Sequence, residues 1–153
     1  SRPKLTPTAV KPIVEDTIRY MQSRTSSRIL YYISADNLRQ ETEALLAAPL
    51  FAWVIENLIK NAVDAMEGEG SISIDMHETD RHILIDVRDT GKGIERRYWR
   101  RIFQSGYTTK QRGWGLGLSL AKRIISDYHH GSIYVLHSEI GKGTTFRISL
   151  KKC

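Results

Sequence analysis

Residues 49–66 read PLFAWVIENLIKNAVDAM, and this segment limits the possible folds more than any other. Its apolar residues recur at helical spacing, which predicts a long helix with one buried face. The members of that buried stripe are Phe51, Ile55, Leu58, Ala62 and Ala65. Pro49 suits a first helical turn, and Gly68 and Gly70 end the pattern. The layer against which this helix packs must come from the rest of the chain.

Alternation of apolar and polar residues predicts that this layer consists of β-strands. The expected strands are residues 28–34, a hairpin of 71–76 and 82–88, and a final pair at 132–137 and 145–150. Helical spacing predicts further helices at 10–22, 95–104 and 116–130, with a glycine-bearing loop at 105–115. The order α-β-α-ββ-α-α-ββ predicts an α+β fold, in which helices cover one face of a mixed sheet.

Composition narrows the class of protein. The chain has 153 residues, of which 41% are hydrophobic, as expected for one soluble domain with a core. No apolar run approaches the roughly 20 residues that cross a bilayer. Cys153 is the only cysteine, so no internal disulfide can form and a reducing, cytoplasmic location is expected. The net charge of +6 suits nucleic acid, an acidic surface or a phosphorylated ligand.

A polar face runs along the long helix beside the buried stripe. Asn57, Asn61 and Asp64 share it, with Glu56 and Lys60 on its flanks. Polar helix faces are usually only solvated, but asparagine and aspartate cost more helix stability than glutamate, lysine or alanine. Their oxygen atoms suit Mg²⁺, which bridges phosphates. We therefore favour a functional role for this face.

The second expected strand of the hairpin ends in DTGKG. Asp89 there fits an ordinary turn, because D-x-G is common. It also fits a carboxylate that accepts a hydrogen bond from an exocyclic amine such as that of adenine. Gly91 and Gly93 would then let the base approach the backbone closely.

Residues 113–125, GWGLGLSLAKRII, place glycines at the start of a helix. Leu118 stands where the dinucleotide fingerprint needs its third glycine, and no Walker pattern is present. A glycine-rich helix start still offers free N–H groups and a positive dipole end to an anion. Gly115 and Gly117 are placed for that contact, and Ser119 adds a hydroxyl group.

These motifs occur in one characteristic order. ENLIKNAVDA is similar to an N box, DTGKGI to a first glycine box, IFQSGYTTK to a phenylalanine box and lid, and GWGLGL to a second glycine box; GKGTTFRISL is similar to the closing strand motif. Over about residues 10–150 the chain resembles the ATP-binding catalytic domain of sensor histidine kinases, of the GHKL superfamily. The resemblance implies the Bergerat fold, a two-layer sandwich whose mixed, mostly antiparallel sheet of about five strands is covered by about three helices.

The resemblance also implies ATP and Mg²⁺ as cofactors. In it Asn61 ligates the metal with support from Asn57, and Asp89 binds the adenine amine. The implied nucleotide-binding residues are Asn57, Asn61, Asp64, Asp89, Gly91, Gly93, Ile94, Thr108, Thr109, Lys110, Gly113, Gly115, Leu116, Gly117, Leu118 and Thr145. The implied catalytic residues are Asn61, Glu56 and Lys110.

The chain departs from the family pattern at two places. Many histidine kinases carry a cation where Asp64 stands, so Lys110, with Arg112 or Lys60, must neutralise more phosphate charge; this variant with its short lid resembles the nitrogen-regulation branch. ATP-hydrolysing relatives place a glutamate base where Asn57 stands, and Glu56 points about 100° away around the helix. Transfer to a protein side chain is therefore favoured over hydrolysis, and Glu56 is a candidate to assist the acceptor.

An acceptor histidine is not expected within this chain, because His77 lies at the hairpin tip without helical periodicity around it. Residues 1–9 are predicted to be a linker from preceding acceptor helices, and residues 10–153 a single catalytic domain. The implied partners are the dimerisation and phosphotransfer domain of the same protein and a receiver domain, with no nucleic acid and no direct membrane contact. The implied location is cytoplasmic, and the resemblance leaves open whether the parent protein is anchored in a membrane.

Other functions remain open from the sequence. A serine kinase of the same fold, of the anti-sigma-factor or dehydrogenase-kinase type, is the main alternative. A nucleotide-binding module without catalysis is less favoured, because Asn61 and Lys110 are both present. A nucleic-acid binder would use the arginines at residues 96–101, which lack an interleaved stacking platform.

Overall fold

The computed structural model describes residues 2–107 and 117–153. Within these ranges the strands are β1 (Thr6–Ala9), β2 (Ile29–Asn37), β3 (Glu43–Leu46), β4 (Gly70–Glu78), β5 (His82–Asp89), β6 (Ser132–Glu139) and β7 (Gly143–Lys151). The α-helices are α1 (Val10–Arg24), α2 (Ala48–Ala65) and α3 (Gly117–Arg123). Two 3₁₀ helices, Arg96–Tyr98 and Arg101–Phe103, follow β5, and a π-helix, Ile124–Tyr128, continues α3.

Five strands form the main sheet in the order β2-β4-β5-β7-β6. β2 runs parallel to β4, and each other neighbouring pair is antiparallel. β1 and β3 form a separate antiparallel pair. The predicted fold class, a mixed and mostly antiparallel sheet with helices on one face, is confirmed.

The core lies between this sheet and the helices. Alternate residues of β4 and β5 are buried because successive strand side chains point to opposite faces: Ile72, Ile74, Met76, Ile83, Ile85 and Val87. The stripe predicted on α2 is buried at Phe51, Ile55, Leu58 and Ala62, and Ala65 is half-buried. Across the opposite face of the sheet, Arg147 donates to Asp86 at 2.7 Å. The long helix therefore buries the apolar stripe that its sequence predicts.

Four elements differ from the sequence-based expectations. β3 lies in a stretch expected to be polar and irregular, and β1 lies within residues 1–9. The helix expected over residues 95–104 is two short 3₁₀ turns. In the last helical segment Leu120 is 40% exposed, because Ala121 takes the inward position that the predicted face gave to Leu120.

No helix in the described ranges is long and apolar enough to cross a membrane.

Candidate nucleotide-binding site

A cleft of about 350 Å³ opens between α2, the loop after β5 and the start of α3. Asn61 and Ala65 of α2 line one side of it, and Asp89 and Thr144 line the floor. The remaining lining residues are Lys92, Gly93, Ile94, Glu95, Tyr98, Ile102, Tyr107, Leu118, Ile140 and Phe146. A mostly apolar cleft with a few polar groups at fixed positions is typical of a small-molecule site.

Asp89 is the buried polar group at the base of this cleft. It is 3% exposed, and its Oδ1 accepts hydrogen bonds from the backbone N–H groups of Gly91 at 2.8 Å and Thr144 at 3.3 Å. Burial raises the pKa of the Asp89 carboxyl, and these two hydrogen bonds partly offset that effect. A carboxylate held rigidly in an apolar cleft is a strong acceptor for an amine donor.

The loop after β5 is held against the rest of the molecule by backbone contacts. Lys92 donates its N–H to the carbonyl of Ala65 at 3.0 Å, and its own carbonyl accepts from Gly141 at 2.8 Å. A Cβ on Gly91 would lie 2.7 Å from the Ala65 backbone, and one on Gly93, where φ is +79°, would lie 2.2 Å from the Glu139 carbonyl oxygen. Both positions therefore require glycine, which explains the D-x-G-x-G spacing.

Ser138 fixes the residue that follows this loop. Its Oγ accepts a hydrogen bond from the Ile94 N–H at 2.7 Å and lies 2.7 Å from Thr144 Oγ1. Trp99 Nε1 donates to the Ile94 carbonyl at 2.9 Å. Ile94 is thus held at the wall of the cleft.

The polar face of α2 meets the start of α3. Asn57 is 4% exposed, and a Cβ on Gly117 would lie 2.7 Å from its Oδ1. Within the described residues the Nδ2 of Asn57 is buried without a hydrogen-bond partner, which is costly unless a ligand completes it. With Asn61 on the cleft, this pair offers amide oxygens for a hard cation and amide N–H donors for phosphate oxygens. The residues present therefore fit an Mg²⁺-phosphate group.

The structure brings together several of the residues named from the sequence. Asn61, Asp89, Gly93, Ile94 and Leu118 line the cleft. Gly91 packs against α2, and Gly117 packs against Asn57. Glu56, half-buried, and Asp64, exposed, lie on α2 outside the cleft lining. Thr108, Thr109, Lys110, Gly113, Gly115 and Leu116 lie outside the described residues.

At one of the nucleotide-binding positions named from the sequence, the neighbouring residue lines the cleft instead. Thr144, not Thr145, is buried, lines the cleft and donates its N–H to Asp89. Consecutive residues of β7 point to opposite faces, so Thr145, paired across the ladder with Arg88, is directed away from the cleft.

Sequence reasoning also missed the aromatic wall. Tyr98 and Tyr107 line the cleft with their ring centroids 6.1 Å apart, and Phe146 completes this side. Neither tyrosine was named as a site residue from the sequence. One signal for Tyr98 was available in the sequence. Tyr98 lies between the glycine loop and the lid motif, and a side chain between these two motifs is expected to face the cleft.

The fold and the site together define a class: an ATP-binding α+β domain with a buried aspartate and glycine loop at one end of a cleft and an asparagine pair on its side. The chain belongs to the histidine kinase-, DNA gyrase B-, and HSP90-like ATPase family, whose model matches residues 48–153.

Similar proteins agree with that assignment. Sporulation kinase E of Bacillus subtilis (strain 168) is 42% identical over 98 residues, 63% of this chain and 13% of the relative. The C4-dicarboxylate transport sensor protein DctB of Rhizobium meliloti (strain 1021) is 36% identical over 149 residues, 95% of this chain and 23% of the relative. The chain thus spans less than a quarter of either protein.

Among solved structures, the nucleotide-free catalytic domain of histidine kinase ThkA superposes with a TM-score of 0.85 at 23% identity, covering 97% of this chain and 95% of that one. This likeness shows the fold. The two sequence relatives are a sporulation kinase and a sensor protein, and the serine kinase alternative gains no support from either of them.

Proposed function

We propose that this chain is the catalytic domain of a two-component sensor histidine kinase, which transfers the γ-phosphate of ATP to a histidine on a separate dimerisation domain of the same protein. The observation that carries the proposal is the buried Asp89 carboxylate at the base of an apolar cleft whose side holds Asn61. One end of this cleft suits an adenine amine, and the other suits phosphate.

Each group has a binding role in this proposal. The Asp89 carboxylate accepts a hydrogen bond from the adenine amine, while Ile94, Tyr107 and Phe146 exclude water around the base. The amides of Asn57 and Asn61 would hold Mg²⁺ and the phosphates that it bridges. When bound, Mg²⁺ supplies the positive charge that neutralises the phosphate oxygens. Lys110 and Thr109 are proposed to add lid contacts.

Transfer to a side chain is favoured over hydrolysis by the residues of α2. The position at which hydrolysing relatives carry a glutamate base is Asn57, whose amide has no basic atom to take a proton from water. Positioning and charge neutralisation are then the main contributions of this domain, and an imidazole supplies the nucleophile.

The partners are proposed from the same reasoning. A preceding pair of acceptor helices would present the histidine, and a receiver domain would take the phosphoryl group onward. Histidine kinase ThkA has been solved in complex with the response regulator protein TrrA. The chain would act in the cytosol, either in a cytoplasmic kinase or as the cytosolic part of a membrane-anchored one.

The test mixes this domain with Mg-ATP and the separate acceptor hairpin of the parent protein. We expect an acid-labile, base-stable phosphoprotein on that hairpin, because phosphohistidine has that stability. Acid-stable phosphate would indicate the serine kinase alternative. Tight, magnesium-dependent ATP binding without transfer to the hairpin would instead reduce the domain to a nucleotide-binding module.

A further inference from the structure

Positive charge is concentrated in one part of the chain. Eight of the 23 lysine and arginine residues, but only one of the 17 acidic residues, lie between residues 95 and 123. Because the whole chain has a net charge of +6, this stretch holds all of the excess, and the remainder of the chain is close to neutral. Such a distribution directs an electrostatic field from one surface of the molecule.

The structure places much of this charge at the mouth of the cleft. The exposed cations there, here called the basic rim, are Arg96, Arg97, Arg100, Arg101 and Lys122. The guanidinium carbons of Arg97 and Arg101 lie 4.8 Å and 5.8 Å from the ring centre of Tyr98, which lines the cleft. On α3, the Nζ of Lys122 lies 5.7 Å from the ring centre of Phe103.

Aromatic rings, more than carboxylates, hold these cations in place. Arg96 is positioned in the same way, with its guanidinium carbon 5.2 Å from the ring of Trp99. A cation–π contact positions an exposed cation without neutralising its charge. Within residues 2–107 and 117–153, the one ion pair of the basic rim joins Arg97 to Glu95 at 3.0 Å. Most of the rim charge therefore acts on the solvent in front of the cleft.

We propose that the basic rim steers the anionic triphosphate of ATP into the cleft and so raises the rate at which the nucleotide binds. The inference rests on the proposed nucleotide site and concerns the approach of the ligand, not contacts with the bound ligand. ATP remains anionic with Mg²⁺ bound, so the rim attracts it before any contact forms. At 0.1 M ionic strength charges act over about 10 Å, a distance that includes the cleft wall beside Tyr98.

Nucleic acid fits the basic rim less well than a nucleotide does. Binding of single strands uses open aromatic faces on which bases stack. Tyr98 and Trp99 are half-buried, and each is already in contact with an arginine. The anion site that borders the rim is the cleft itself, where the amides of Asn57 and Asn61 are assigned to phosphate.

Stopped-flow fluorescence with ribose-labelled Mg-ATP separates the association rate from the dissociation rate. Arg100→Glu/Arg101→Glu reverses two charges beside the cleft. It should lower the association rate constant roughly tenfold at about 0.1 M ionic strength and leave the dissociation rate constant unchanged. Arg100→Gln/Arg101→Gln removes the charges without reversing them and should lower it about threefold. At about 1 M salt, where charges act over only about 3 Å, the rates of all these proteins should converge.

The matched control reverses two exposed cations at the far end of the sheet, in Arg81→Glu/Lys151→Glu. Lys151 pairs with His82 at the start of β5, whereas Asp89 ends that strand. The rise per residue of a strand puts these ends roughly 24 Å apart. Since this exceeds the range of about 10 Å at 0.1 M ionic strength, the control should bind at the parent rate.

Three results would overturn the inference while ATP binding itself remains. They are equal association rates in the parent chain and the Arg100→Glu/Arg101→Glu variant, equal slowing by the control, and a loss of affinity that lies in the dissociation rate. The last result would assign the arginines to contacts with bound nucleotide. A parent chain that does not bind labelled Mg-ATP would instead contradict the proposed nucleotide site, and steering with it. The substituted side chains are all exposed, so thermal unfolding should match that of the parent chain.

Discussion

Asp89 is the residue to which the proposed function assigns recognition of the adenine amine. Asp89→Asn keeps an oxygen for the N–H groups of Gly91 and Thr144, so the fold should persist. It weakens the charged acceptor for the adenine amine, and we expect ATP affinity to fall roughly 10- to 100-fold, as for loss of a hydrogen bond to a charged group. Calorimetric titration measures this effect, with exposed Asp75→Asn as the control. Unchanged affinity would remove Asp89 from the site.

The stability of the Asp89→Asn variant should not fall. Burial raises the pKa of this carboxyl above its ordinary 3.8, so the folded state disfavours the ionised form and is destabilised by it as the pH rises above that value. The neutral amide avoids this cost, and the melting temperature at neutral pH should be equal to or above that of the parent chain.

Glu56 is the residue proposed to assist phosphotransfer without contributing to nucleotide binding. It is half-buried on α2 and lies outside the cleft lining. Glu56→Gln should therefore leave ATP affinity intact while slowing transfer to the acceptor hairpin about 10- to 100-fold, if this carboxylate assists the imidazole. The rate of phosphoryl transfer in a single turnover and the ATP affinity from a titration are measured for both proteins and compared. A large loss of ATP affinity would contradict this role.

Of the polar residues named from the sequence, Asn61 and Asp89 line the cleft. Motif spacing placed them on a helix face and at a strand end before the cleft was known. To choose between Thr144 and Thr145, one must know which residues of β7 face the cleft. A strand pattern leaves the first residue of a strand uncertain by one position, so the sequence could not decide this. Tyr98 and Tyr107 could not be assigned, because their place on the cleft depends on how two short 3₁₀ turns fold across the sheet end.

At the scale of elements, the loop after β5 is joined to the turn between β6 and β7 by the hydrogen bond from the Gly141 N–H to the Lys92 carbonyl. Gly93 and Gly141 have nearly the same backbone conformation, with φ of +79° and +81°, but only Gly93 is crowded. Gly141→Ala should cost about 1 kcal/mol for the left-handed backbone alone. Gly93→Ala should cost at least about 2 kcal/mol more, because its Cβ would lie 2.2 Å from the Glu139 carbonyl oxygen.

Chemical denaturation of the two glycine variants measures the difference. Gly93→Ala should also weaken ATP binding, because the displaced loop carries Ile94 on the cleft wall, whereas Gly141→Ala should not. Equal destabilisation by the two changes would show that the contact with the Glu139 carbonyl relaxes freely.

Elements with strong periodicity were predicted and weakly patterned ones were not. α2 was placed within one residue of its observed ends, because its apolar stripe is long and ends in glycines. β3 was missed, because four residues, EALL, carry too little alternation to be distinguished from a loop. Its identity as a strand depends on pairing with β1, which precedes it by the whole of α1 and β2.

At the scale of the molecule, Glu78 joins the end of β4 to the loop before β3 and to the C-terminal residues. It accepts from Arg39 at 2.9 Å, Thr42 at 2.9 Å and Lys152 at 2.8 Å. The Arg39 guanidinium, followed by Lys152 and Thr42, holds the pKa of the Glu78 carboxyl well below its ordinary 4.5. This carboxylate connects parts of the chain that no single sheet contains.

Glu78→Gln should lower stability by about 1–3 kcal/mol at neutral pH, at the low end because Arg39 is exposed. A depressed carboxyl pKa contributes stability that is complete above 4.5 and declines as the pH falls below it. The difference between parent and variant should therefore shrink in acid. Urea denaturation at neutral pH and at about pH 3.5 measures it, with exposed Glu67→Gln as the control. A difference independent of pH would exclude the ionic contribution.

ATP and Mg²⁺ should stabilise the whole domain jointly. α2, the loop after β5 and the start of α3 meet at one cleft, so a ligand that fills it adds its binding energy to the free energy of unfolding. At about 100 times the dissociation constant that gain is about 2.7 kcal/mol, or roughly 5–10 °C in melting temperature for a domain of this size. The amides of Asn57 and Asn61 are assigned to the metal and phosphates, so the shift in melting temperature should need both ATP and Mg²⁺. Asn61→Ala should strongly reduce this shift, and the control Asp75→Asn should keep it. An equal shift with ATP in the presence of a chelator would show that the asparagine pair does not act through a divalent cation.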